Sequence, residues 1–105
     1  MFDKSSLVSD AFKAFMTNAP EHAKAWGDVV QTLAKVSSLD RKTLELAYIA
    51  VLAALNRVSG VPFHVVTAKK IGATRDEIIS AVLIGLPAAG HVVTQSLVPH
   101  SSIFH

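Results

Sequence analysis

The sequence predicts an all-α fold, and three observations carry that reading. Glycine and proline are sparse, 5 and 4 in 105 residues. Apolar residues recur three and four positions apart over most of the chain, and no stretch sustains the strict alternation of a half-buried strand. A first helix is expected over residues 4–16, with Leu7, Ala11, Phe12 and Phe15 on one face. Thr17, Asn18 and Ala19 break it, and Pro20 suits the first turn of a second helix, where its missing N–H costs nothing. The second helix runs to about residue 36 and places Ala23, Trp26, Val30 and Leu33 on one side. Residues 37–40 link it to a third, with Asp40 as N-cap. The third helix, 41–55, carries one charge after Leu44, that of Glu45, with Tyr48 as its only other polar handle. A helix apolar all round is expected to be buried on every side.

Residues 56–60 form a turn, and Pro62 opens a fourth helix that ends near Ile71, with Gly72 suited to a left-handed C-terminal position. Thr74-x-x-Glu77 reads as a capping box that starts a fifth helix. Pro87 kinks or ends it, and Gly90 allows a restart through His91 to about Leu97. Residues 99–105 are a tail. The whole, 1–105, reads as one domain: N-terminal helices over 1–37, a core over 38–90, and the tail.

Composition narrows the function. Half of the residues are hydrophobic and mean hydropathy is +0.41, more apolar surface than a small monomer readily hides, so a homo-oligomer is expected. Net charge is +2 and the largest basic cluster is Lys69, Lys70 and Arg75, which argues against nucleic-acid binding. The chain has no cysteine, which removes disulfides, thiolate metal sites and thiol redox chemistry. The N-terminal residues lack an apolar signal core, and the apolar run 46–55 is too short to cross a bilayer. A cytoplasmic location with no membrane partner is the expectation.

Three residues form the leading chemical constellation. His64 shares its helical face with Val61, Ala68 and Ile71, away from Lys69 and Lys70. It is either a core histidine satisfied by one hydrogen bond or a general acid–base. Glu45 either pairs with Arg41 or Lys42 at the mouth of its helix or serves as a pocket carboxylate that pairs with His64 or Arg57 and fixes the imidazole tautomer. Arg57, in the turn between the two helices, is either a surface cation or a bidentate anion clamp. Tyr48 and His91 are further polar groups; His100 and His105 lie in the tail. The five histidines show no pairing at ligand spacing and no acidic cluster supports them, so no metal is expected.

Leu39-Asp40-Arg41-Lys42-Thr43-Leu44-Glu45-Leu46, Ala53-Ala54-Leu55-Asn56-Arg57, His64 and Gly72-Ala73-Thr74-Arg75-Asp76-Glu77-Ile78 together resemble the carboxymuconolactone decarboxylase domain over about residues 38–90. Cysteines at positions 57 and 60 would make the Glu-x11-Cys-x2-Cys-x3-His motif of the related alkylhydroperoxidase D branch. Arginine and glycine stand there instead. The resemblance implies an alkylhydroperoxidase D-like bundle of five to six helices with a central helical hairpin, and symmetric trimers or hexamers. It also implies cofactor-free decarboxylation of a small carboxylated lactone or keto acid, with His64 as proton donor, Glu45 orienting it, and Arg57, with Tyr48, binding the substrate anion. Two alternatives stand beside this reading. One is a non-catalytic or ligand-binding oligomer of the same fold. The other, thiol peroxidase activity, lacks its thiols.

Overall fold

The computed structural model describes residues 8–98, and every regular element within them is helical. Helix α1 (Asp10–Asn18) starts later than the periodicity suggests: the Ser9 hydroxyl accepts the Phe12 N–H at 3.1 Å and caps it. Residues 4–7 and the tail from residue 99 lie outside the described residues. At Ala19 the backbone leaves helical dihedrals, and α2 (Pro20–Val36) begins on its proline as expected. Asp40 caps α3 (Arg41–Ala54) by accepting the Thr43 N–H at 2.7 Å.

The end of α3 is built by Asn56, whose φ of 57° is left-handed. The chain reverses there and the Arg57 N–H returns to the Leu52 carbonyl at 2.8 Å, the reverse turn that satisfies a helix's last carbonyls. A 3-10 turn (Val58–Gly60) leads into α4 (Val61–Lys70), with Pro62 in its first turn. Gly72, at φ +100°, ends α4 in the same way, with the Ala73 N–H on the Ala68 carbonyl at 2.9 Å.

Both halves of the expected capping box form at the start of α5 (Arg75–Leu83). This helix stops at Leu83, four residues before Pro87, where the proline ring would strike the carbonyl of a continuing helix. A short α6 (Leu86–Ala89) takes Pro87 into its first turn, and a 3-10 turn (Gly90–Leu97) follows. By length and composition alone Arg75–Leu97 would suffice to cross a membrane. Here it is divided into these three pieces, and the last packs on α3, α5 and α6.

The core is formed by Ile49 and Ala53 of α3, Val61, Val65 and Ala68 of α4, Ile78 and Val82 of α5, and Val93 of the last turn. An ion pair, Lys42–Glu77 at 2.9 Å, ties the first turn of α3 to that of α5. The packing adds one finding on the N-terminal helices and corrects one expectation about α3. Neither α1 nor α2 holds a buried residue; they pack on each other, leaving Trp26, Val30 and Leu33 about half exposed or more. Nor is α3 enclosed on all sides, because Tyr48, Val51 and Leu55 form an open apolar stripe at i, i+3 and i+7. Amphipathic spacing identifies an apolar face but says nothing of which chain covers it.

The two helix starts carry a pH dependence. The Thr43 backbone N–H on Asp40, and the Thr74 backbone N–H on Glu77 followed by Lys42, hold both carboxyls below their ordinary values of 3.8 and 4.5. Each therefore contributes stability that is present in full above the ordinary value and is lost as pH falls through the lower folded-state value. Thermal midpoints followed by circular dichroism from about pH 6 to about pH 3 are expected to fall in that acid window, and less steeply in Glu77→Gln.

Candidate active site

Glu45 lies in the second turn of α3 and His64 in the first turn of α4. The α3–α4 connection brings them together although 19 positions separate them in sequence: His64 Nδ1 stands 2.9 Å from Glu45 Oε2. In the tautomer that carries its proton on Nδ1 the ring donates this bond to the carboxylate oxygen, and Nε2 is then the ring's acceptor nitrogen. Of the two partnerships open to Glu45, the one with a basic neighbour on its own helix is not formed: Lys42 is engaged by Glu77, and Glu45 turns to the imidazole.

The pair sits at the margin of the core. The His64 side chain is 25% exposed and that of Glu45 15%, enough shielding to strengthen their hydrogen bond. Val61, Val65 and Ala68 of the same helix are buried beneath. His64 is thus neither sealed in apolar packing nor free on the surface.

Tyr48, one turn after Glu45, brings its ring to 4.6 Å from the imidazole, tilted by 57°. Phe63 also borders the imidazole, with ring centroids 5.4 Å apart, edge to face. The sequence singled out Tyr48 but missed Phe63, since an aromatic residue next to a histidine leaves no periodic trace. Arg57 is exposed at the end of the hairpin, and among the described residues no ion pair engages its guanidinium. Its backbone is fixed by the turn, which leaves the long side chain available to a ligand. Gly60, at the other position where the redox motif has a cysteine, is close against Leu52; an added Cβ would meet it at 3.4 Å. His91 is exposed in the last turn, and among the described residues no group of three or more potential ligands could hold a metal ion.

The fold is a helical bundle with a carboxylate–imidazole pair at its central hairpin. Residues 20–97 match the model of the Carboxymuconolactone decarboxylase family, and the chain belongs to that family. The match reaches beyond residues 38–90 to include α2 and the last turn. Comparisons with curated proteins and with solved structures return no match.

Proposed function

We propose that this protein is a cofactor-free proton-transfer enzyme that decarboxylates a small carboxylated lactone or keto acid. The observation that carries the reading is the Glu45–His64 hydrogen bond, which engages Nδ1 of an imidazole that is still partly exposed. In the proposed reaction the bond from the substrate's carbon to its carboxylate breaks and carbon dioxide leaves. The electron pair remains as a dienolate, and protonated Nε2 delivers its proton to carbon. The ring then recovers a proton from solvent. Arg57 pairs with the anion, Glu45 supports the imidazolium, and Tyr48 flanks the reacting plane. The cytoplasm is the proposed setting.

A second reading, a ligand-binding protein without turnover, is favoured by the position of Arg57, which stands outside the contacts joining Glu45, His64 and Tyr48. The dithiol peroxidase reading has no support in a chain without cysteine. A thermal-shift screen with small carboxylated lactones and keto acids tests the shared premise of an anion site. A binder at about a hundred times its Kd stabilises by about 2.7 kcal/mol. Wild type is expected to shift and Arg57→Ala to lose most of the shift. Carbon dioxide release then separates enzyme from binder.

A further inference from the structure

The acids and bases around the start of α3 are divided between two pairs. Lys42 Nζ stands 2.9 Å from Glu77 Oε2, and His64 Nδ1 stands 2.9 Å from Glu45 Oε2. Lys42 and Glu45 lie three positions apart on α3, the spacing at which side chains of one helix meet. Lys42 therefore has a choice between a carboxylate on α5 and one on its own helix, and it takes the first. The other acids nearby are committed elsewhere: Asp40 accepts the Thr43 N–H at 2.7 Å, and Asp76 pairs with Arg75 at 3.4 Å. The Lys42 side chain is 39% exposed, so an ammonium deprived of Glu77 would be partly desolvated and in need of another acceptor. Arg41, four positions before Glu45, differs. It is exposed, so water satisfies its guanidinium, and among the described residues no ion pair engages it.

We propose that Glu77 is a positioning residue for the candidate site: by holding Lys42 on α5 it reserves the Glu45 carboxylate for His64. Glu77 acts through Lys42, without touching the imidazole. Its own side chain is fixed by the backbone of α5. Oε1 accepts the Thr74 N–H at 2.9 Å, while the Glu77 N–H bonds the Thr74 hydroxyl at 3.1 Å. The capping box thus leaves Oε2 to meet Lys42. With Glu77 neutralised, Lys42 turns to Glu45, whose carboxylate is then shared between an ammonium and the imidazole. A shared carboxylate holds each partner less firmly, and the bond to Nδ1 weakens. The inference rests on the role proposed above for the Glu45–His64 pair, since positioning matters where His64 works. Its test reads the ring itself without substrate, so an absence of turnover and a failure of this inference are separate results.

Two substitutions break the same ion pair with opposite consequences for the site. Glu77→Gln releases Lys42 and keeps the capping box, which accepts glutamine at this position. Lys42→Met removes the cation and leaves Glu45 without a new competitor. Long-range proton–nitrogen NMR correlations at about pH 8, above the ordinary imidazole range, show which ring nitrogen carries the proton. The His64 signals are identified by their loss in His64→Gln, and circular dichroism checks that every variant folds. Wild type and Lys42→Met are expected to show the proton on Nδ1. Glu77→Gln is expected to lose that pattern toward the tautomer mixture of an unrestrained ring. The double variant, Lys42→Met with Glu77→Gln, is expected to recover it, because the competing cation is gone. An equal change in the two single variants would make the ion pair a tie between helices and nothing more, and would overturn the proposal. So would an unchanged ring in Glu77→Gln, an unrestored ring in the double variant, or a wild type that carries the proton on Nε2.

Discussion

Replacing His64 with alanine is expected to lower turnover of a responsive carboxylated lactone by about 10²- to 10⁴-fold, the usual contribution of a positioned general acid. The loss falls on kcat, because proton delivery to carbon belongs to the transition state and not to substrate binding. Glu45→Gln tests the same pair from the other side. It preserves shape but removes the charge that supports a protonated ring. A hydrogen bond to a charged group is worth about 1.5–3 kcal/mol, so kcat is expected to fall by roughly 10- to 100-fold. Arg57→Ala instead is expected to raise KM first, since the guanidinium is assigned to the anion. Steady-state kinetics on the three variants, with circular dichroism confirming the fold, checks the division. An equal loss of kcat and unchanged KM in all three would contradict the assigned roles.

The second large effect is structural. Ile78 is completely buried on α5 within the cluster that includes Ile49 and Ala53 of α3. Ile78→Ala removes three carbons from a close-packed site and is expected to cost about 2–5 kcal/mol, while Ile78→Val is expected to cost about 0.5–1.5 kcal/mol. The larger figure is a substantial share of the 5–15 kcal/mol typical of a folded domain. Urea denaturation at fixed protein concentration measures both, the fixed concentration being needed because association would add to apparent stability. A graded loss supports the α3–α5 packing on which the Glu45 helix rests. Equal stability in Ile78→Ala and wild type would mean that this interface is not the core.

Local chemistry made most of the helix boundaries legible. Pro20 and Pro62 mark helix starts because each lacks a donor that a first turn does not need. Gly72 and the Thr74–Glu77 box mark a stop and a start through backbone geometry alone. Ser9 escaped notice because a serine beside an aspartate, three residues before a phenylalanine, has no unique signature, although its hydroxyl caps the start of α1. Asn56 drew attention through its place beside Arg57. Its physical task is to take the left-handed turn that ends α3.

The site was legible in its members but not in its pairing. Spacing allowed Glu45 to meet a cation on its own helix or the imidazole of the next. The choice depends on how α3 and α4 pack, and on Glu77 having already engaged Lys42. The contact of Tyr48 with His64 follows from the same packing, since Tyr48 lies one turn beyond Glu45. What surrounds α2 and the outer stripe of α3 could not be read from periodicity, which is identical for a face buried within one copy and one buried between two.

The central claim is that His64, held by Glu45, delivers a proton to carbon after carbon dioxide leaves. The most direct measurement is to incubate the protein in D2O with each small carboxylated lactone or keto acid that stabilises it, and to follow carbon dioxide release and deuterium incorporation together. Wild type is predicted to release carbon dioxide and place deuterium on the carbon that lost it, and His64→Ala to do neither at a comparable rate. Release and labelling that proceed equally in wild type and His64→Ala, or in neither, would contradict it.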